Sequence, residues 1–330
     1  MPSPVVSRIR GSFCKRTTSG RSGNRARSGR AGLMDTMRVV RIAGLTVRGH
    51  HPQGRPTLVY LPGIHGDWTL VTSFRCAVAP PLEFLELAYP DTTEWTITDY
   101  ARAVATALNQ LEIRRYWLLA ESFGSLVAWA LLEQVRSEHG PEMDRSPLLV
   151  APEGLILAGG FVRHPWPWGA VGLAAVGRNL PQAAHRLLLR GYAWFAGWRH
   201  RHAPETRDTV EEFLARRTPE NRRAIQARLH LVAGADYRTV ASRIHLPVYA
   251  LAGGLDPLVP WGHVWRWLRR YCPGFRAARL FWWADHNVLG TAPRESAAQV
   301  IAWMEQASGA GEEPGRSLRK AQFPASEGSG

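Results

Sequence analysis

The stretch WLLAESFGSLVAWALL, residues 117–132, constrains the fold of this chain most strongly. It begins with an apolar segment of strand-like character, passes through small residues on both sides of Ser122, and continues with apolar residues at helical spacing. A turn this tight between a strand and a helix needs small residues near the serine, and Ala120 and Gly124 meet that need. The sequence therefore predicts that Ser122 projects from a sharp strand-turn-helix junction. A second interpretation is that Ser122 only caps the following helix.

The same alternation of strands and helices is predicted over most of the chain. Short apolar segments predict strands, and the longer amphipathic segments between them predict helices. The clearest strand candidates are residues 57–61, 82–88, 155–158, 247–252 and 278–283. Between residues 161 and 235 this alternation is replaced by helical spacing that is rich in Trp and Arg. The pattern predicts an α/β protein with a doubly wound, mostly parallel sheet and a helical insertion.

The junction at Ser122 resembles the nucleophile elbow of the α/β-hydrolases, whose pattern is Gly-x-Ser-x-Gly, with Ala120 in place of the first glycine. The segment GGLDPLVP, residues 253–260, resembles the turn in which this family carries its catalytic acid, here Asp256. An Asp-Pro pair also simply initiates turns. The segment ADHN, residues 284–287, resembles the turn that carries the family's histidine, here His286.

The resemblance implies a catalytic role for Ser122, Asp256 and His286, which occur in the order Ser, acid, His that this fold uses. His286 would take the proton of the serine hydroxyl, and Asp256 would hold the imidazole in the required tautomer. Asp285 is a rival acid, but a side chain next to the histidine in sequence seldom points at its ring.

The resemblance also implies an oxyanion hole, which in this family is formed by two backbone N–H groups. The segment PGIHGDW, residues 62–68, follows a predicted buried strand and places one donor on Ile64, with His65 as the alternative. The second donor is the N–H group of Phe123, directly after the serine. We interpret His65 and Asp67 as loop residues that shape the pocket, since no second ligand cluster lies near them in the sequence.

These features predict five regions: a disordered basic leader (1–36), the first part of the α/β core (37–160), a helical cap (161–235), the second part of the core (236–307) and a disordered tail (308–330). The leader resembles an organelle transit peptide, or else reflects a start codon placed too early. We expect aromatic residues of the cap, Tyr192, Trp194, Phe195 and Trp198, either to pack within it or to line a pocket.

Charge and cysteine content limit the possible partners. The formal net charge is +14, but eight basic residues and no acidic ones lie in residues 1–34, and no nucleic-acid-binding motif accompanies them. We therefore expect no nucleic-acid partner. The three cysteines lack the CxxC spacing of a metal site. This odd, widely spaced set favours a reducing compartment, and we expect a cytoplasmic protein.

The sequence thus predicts a hydrolase that cleaves a small-molecule carboxylic ester through an acyl-serine intermediate and needs neither a metal nor an organic cofactor. The same triad serves thioesterases, acyltransferases, amidases and C–C bond hydrolases, and the sequence does not separate these activities. A non-catalytic, ligand-binding use of the fold is a further alternative. A third is peripheral contact with anionic membranes through the basic leader and the aromatic cap.

Overall fold

A computed structural model describes residues 6–7, 38–49, 55–79, 82–138, 150–169 and 203–309, together with the single positions 172, 184, 187, 191 and 199. The predicted cap residues Tyr192, Trp194, Phe195 and Trp198, and nearly all of the leader and tail, lie outside these residues. The predicted boundaries of the leader, cap and tail therefore stay predictions.

The described residues form one nine-stranded sheet in the order β1-β2-β3-β5-β4-β6-β7-β8-β9. The strands are β1 (Val6–Ser7), β2 (Arg38–Ile42), β3 (Leu45–Gly49), β4 (Thr57–Leu61), β5 (Glu83–Ala88), β6 (Tyr116–Glu121), β7 (Gly154–Ala158), β8 (Val248–Gly253) and β9 (Phe275–Phe281). The first three strands pair antiparallel, and the six from β5 to β9 are parallel. The predicted doubly wound, mostly parallel sheet is confirmed.

Helices connect the parallel strands, and two more follow β9. They are α1 (Thr72–Val78), α2 (Ile97–Gln110), α3 (Phe123–Glu138), α4 (Pro204–Asp208), α5 (Val210–Ala215), α6 (Pro219–Gly234), α7 (Arg238–Ala241), α8 (Trp261–Tyr271), α9 (Val288–Thr291) and α10 (Pro293–Gly309). A 3₁₀ turn at Thr69–Val71 precedes α1. None of the helices in the described residues has the length and hydropathy needed to span a bilayer.

The central strands are buried on both faces, which explains their continuous apolar sequences. Every residue of β4, β6, β7 and β8 is buried. One apolar cluster packs between the sheet and α2, α3 and α8, and a second packs beneath α1 and α10 on the other face. This three-layer packing fixes the carboxyl ends of the parallel strands, where ligand sites in open α/β sheets lie.

Local sequence explains where several elements begin. Thr96 and Asp99 form a capping box at the start of α2, in which Thr96 accepts a hydrogen bond from the N–H group of Asp99 at 3.2 Å and Asp99 accepts one from the N–H group of Thr96 at 2.9 Å. By contrast, β9 begins at Phe275, three residues before the predicted start. The exposed Arg276 hid the first residues of this strand, because an edge strand tolerates exposed charged side chains.

Candidate active site

Ser122 lies at the turn between β6 and α3, in the conformation that the sequence predicts. Its φ angle is +48°, which is the left-handed region that non-glycine residues seldom adopt. Its N–H group donates to the carbonyl of Ala158 at 3.0 Å, and its own carbonyl accepts from the N–H group of Ser125 at 2.9 Å. A side chain on Gly124 would overlap the carbonyl oxygen of Leu61, so only glycine fits there. The strained backbone thus presents the hydroxyl away from the core.

His286 lies between the other two candidate residues and contacts both. Its Nε2 is 2.8 Å from the hydroxyl oxygen of Ser122, and its Nδ1 is 2.7 Å from Oδ2 of Asp256. The other carboxylate oxygen of Asp256 accepts the N–H groups of Leu258 at 2.8 Å and Val259 at 3.0 Å. The structure therefore brings together three side chains that are 134 and 30 residues apart in sequence.

The environment of His286 favours its protonated form. Burial alone would lower the pKa of the imidazole, but the hydrogen bond and the charge of Asp256 outweigh it, with smaller contributions from Glu121 and Asp285, and the pKa is raised. The side chain of Asp256 is 1% exposed, so its interaction with the ring is screened little by water. An imidazole stabilised in this way is suited to accept a proton from a neighbouring hydroxyl.

Asp285 has other partners than the ring. One oxygen accepts from Nε of Arg199 at 2.8 Å, and the other accepts the N–H group of Asn287 at 3.0 Å. Asp285 thus shapes the loop that carries His286, whereas Asp256 contacts the imidazole.

The turn after β4 lies beside Ser122. A Cβ atom built on Gly63 would be 3.5 Å from Cβ of Ser122. The N–H group of Gly66 donates to the carbonyl of Gly63 at 3.0 Å and closes the turn, with Gly66 at a φ angle of +80°. Phe123 is the first residue of α3, so its N–H group belongs to the end of the helix that carries partial positive charge. The two predicted oxyanion donors, Ile64 and Phe123, are therefore on segments that border the serine.

A cavity of about 530 Å³ opens above these groups. Its polar lining includes Ser122, His286 and Glu121, and its apolar lining comprises Ile64, Leu70, Phe161, Trp166, Leu229, Val232, Leu258 and Val259. Leu229 and Val232 come from α6, so the helical insertion forms part of the cavity wall. Most of the surface available to a ligand is apolar, which is typical of small-molecule sites.

His65 and Asp67 line the cavity, as expected of loop residues that shape the pocket. Burial, helped by the charge of Arg217, lowers the pKa of His65 to about 3, so this ring is neutral at physiological pH. Burial would raise the pKa of Asp67, but its ion pair with Arg217 and its hydrogen bonds from Thr69 outweigh that effect and lower it. Within the described residues, no three His, Cys, Asp or Glu side chains are grouped as metal ligands.

Sequence reasoning missed Glu121, which precedes the serine. Its carboxylate accepts a hydrogen bond from the hydroxyl of Tyr60, and burial raises the pKa of this carboxyl despite that hydrogen bond. A charged residue at the last position of a fully buried strand was the available signal. Glu121 links the serine turn to the turn after β4.

Several solved structures share this fold and align with most of the chain. A hydrolase from Pseudomonas aeruginosa PA01 aligns over 83% of this chain and 99% of its own, with a TM-score of 0.61 and 19% identity. An esterase from Exiguobacterium antarcticum aligns over 82% and 97%, with a TM-score of 0.60 and 14% identity. An enol-lactonase from Burkholderia xenovorans LB400 aligns over 80% and 98%, with a TM-score of 0.61 and 16% identity.

At the level of sequence, no protein-family model and no curated protein matches the chain. Because the sequence identities are below 20%, the structural similarity shows a shared fold. The chain has the α/β-hydrolase fold, as the sequence resemblance predicts.

Proposed function

We propose that this protein is a serine hydrolase that cleaves a carboxylic ester of a small molecule. The observation that carries the proposal is the continuous hydrogen-bonded chain from the hydroxyl of Ser122 through His286 to Asp256 at the floor of a mainly apolar cavity. The esterases and the lactonase that share the fold are consistent with this reaction class.

In the first half of the proposed reaction, the hydroxyl oxygen of Ser122 attacks the ester carbonyl carbon while Nε2 of His286 takes the hydroxyl proton. The carbonyl oxygen becomes an oxyanion, for which the N–H groups of Ile64 and Phe123 are the proposed donors. His286 then returns the proton to the leaving alkoxide. The alcohol departs, and the acyl group remains on Ser122.

In the second half, a water molecule attacks the acyl-serine carbonyl while His286 takes a proton from that water. Collapse of the second tetrahedral intermediate releases the carboxylic acid, and the proton on His286 returns to the oxygen of Ser122. Asp256 stabilises the imidazolium in both halves without itself becoming protonated. The mechanism calls on side chains, backbone amides and water.

The proposal is tested with p-nitrophenyl esters of graded acyl length, from acetate to decanoate, and with the Ser122→Ala variant. We expect the wild-type protein to hydrolyse at least one ester with saturation kinetics, and the variant to fall to background while its circular dichroism spectrum is unchanged. A variant that keeps near wild-type turnover would show that another group is the nucleophile. The preferred acyl length reports how far the apolar part of the cavity accommodates the chain.

A further inference from the structure

Arg228 of α6 is fully buried and lies against the turn after β4. Its Nη1 donates to the carbonyl of Ile64 at 3.0 Å, its Nη2 donates to the carbonyl of Pro90 at 2.8 Å, and its Nε donates to the hydroxyl of Tyr100 at 3.2 Å. Its relative exposure is 0%. The guanidinium also packs on Gly66, where an added Cβ would be 2.6 Å from Nη1. A side chain of the helical insertion thus contacts both Ile64 and Gly66 of this turn.

Among the described residues, the positive charge of Arg228 is balanced by the dipoles of neutral groups, with no carboxylate partner. Its hydrogen-bond partners are two carbonyls and a hydroxyl, and no carboxylate of the described residues forms an ion pair with it. The rings of Tyr89 and Tyr100 lie 5.6 and 5.8 Å from its guanidinium carbon. Placing a cation in such surroundings is costly for folding, because hydration is lost without a compensating anion. An anion that forms nearby during a reaction would be correspondingly favoured.

A second buried arginine, Arg217, differs from Arg228 because it has a carboxylate partner. It also comes from the insertion and also reaches the turn, with Nη1 at 3.5 Å from the carbonyl of His65. However, Arg217 is neutralised by the carboxylate of Asp67. Two buried arginines therefore contact adjacent carbonyls of one turn, and of these two only Arg228 keeps a positive charge without a carboxylate partner.

Two successive peptide groups of the turn are fixed by these contacts. The carbonyl of Gly63 accepts from the N–H group of Gly66, and the carbonyl of Ile64 accepts from Arg228. In a trans peptide the N–H group points opposite to the carbonyl. The N–H group of Ile64 therefore points away from the hydrogen bond that closes the turn. The hydrogen bond from Gly66 thus holds the peptide that carries this N–H group, and Arg228 holds the next peptide of the turn.

We infer that Arg228 is a positioning residue for the oxyanion: it holds the carbonyl of Ile64, next to the peptide that carries the Ile64 N–H group, and adds positive charge beside the turn. This inference rests on the proposed hydrolase function and assigns part of the oxyanion stabilisation to the helical insertion. It acts through the backbone of the turn, so it affects the charged transition state more than substrate binding.

Arg228→Met tests the inference, since it removes the charge and the donors but keeps a long apolar side chain. We expect kcat for a p-nitrophenyl ester to fall by about 100-fold, comparable to the loss of one oxyanion donor, while KM changes less than about threefold. Affinity for a trifluoromethyl ketone, to which Ser122 adds to give an anionic hemiketal, should fall in parallel with kcat/KM. Measurements are made well below the thermal midpoint of each variant, so that every sample is folded.

Two further variants separate positioning from packing. Arg228→Lys keeps the charge, and we expect it to recover about tenfold of the lost kcat. Asn221→Ala is the matched control: its amide also contacts the turn, at 3.4 Å from the carbonyl of His65, but it is neutral. It should change kcat by less than about threefold, as expected for a weak neutral contact.

The inference is overturned if Arg228→Met lowers the thermal midpoint but leaves kcat and the affinity for the ketone within threefold of wild type. It is also overturned if Arg228→Lys is as impaired as Arg228→Met in kcat. These results differ from a failure of the proposed function, in which Ser122→Ala would itself remain active.

Discussion

Two turns border the candidate nucleophile, and they are held in place in different ways. The turn at Ser122 is fixed by its own backbone, through hydrogen bonds to Ala158 and Ser125 and through the close approach of Gly124 to Leu61. The turn after β4 is fixed by side chains from elsewhere, namely the insertion residues Arg228 and Arg217. The first turn depends on steric fit, and the second depends on charge.

This difference suggests that the two turns respond differently to substitution: changes at the first affect folding, and changes at the second affect the geometry of the site. A turn built into the packed core cannot be altered without disturbing the sheet beneath it. A turn held by side chains of an insertion can change when the insertion changes, while the sheet stays the same. The helical insertion is therefore in a position to adjust catalysis as well as to shape the cavity.

The loop that carries His286 is held in an intermediate way, because one side chain, Asp256, contacts the imidazole that we propose as the catalytic base. This contact predicts the largest effect. Asp256→Asn should lower kcat by about 10³- to 10⁴-fold without unfolding the protein, since the amide favours the wrong imidazole tautomer. Steady-state kinetics with a p-nitrophenyl ester measures this. The adjacent Asp285→Asn is the control, with an expected loss below about tenfold because Asp285 contacts Arg199 and the backbone. Equal losses in the two variants would contradict the assignment of the acid.

The steric basis of the serine turn predicts the next largest effect. Gly124→Ala should lower the thermal midpoint and remove most activity, because the added methyl group would overlap the carbonyl of Leu61. Gly262→Ala is matched to it, since Gly262 lies in α8 with nothing within 4 Å of an added Cβ. That substitution should stabilise the protein by about 0.5–1 kcal/mol, as alanine is a better helix former. Thermal unfolding and esterase assays compare the two. A neutral Gly124→Ala would show that the turn has room to adjust.

The smallest effect concerns the pH dependence of kcat/KM. The proposed mechanism needs neutral His286, so kcat/KM should rise with increasing pH through the pKa of this ring, which lies above the ordinary imidazole value of about 6.5. Glu121 contributes to that increase in pKa. Glu121→Gln should therefore move the acid limb of the profile to lower pH, in addition to any loss from disturbing the turn. An unmoved limb would show that the carboxyl of Glu121 is uncharged when His286 titrates.

The sheet could be predicted from the sequence because its strands are short, apolar and buried on both faces, as at residues 57–61 and 155–158. The three side chains of the candidate site could also be located, because each follows a recognisable strand end. In contrast, the role of Arg228 could not be predicted. It is one of many arginines in a region of helical spacing, and its burial depends on packing between segments more than 100 residues apart in sequence.

The central claim is that Ser122 is the group that becomes acylated. The most direct measurement is mass spectrometry of the protein after treatment with a fluorophosphonate, followed by identification of the modified peptide. The account predicts one adduct, on the hydroxyl of Ser122, which is lost in Ser122→Ala and greatly slowed in His286→Ala. An adduct on a different residue, or no adduct in wild-type protein that hydrolyses esters, would contradict it.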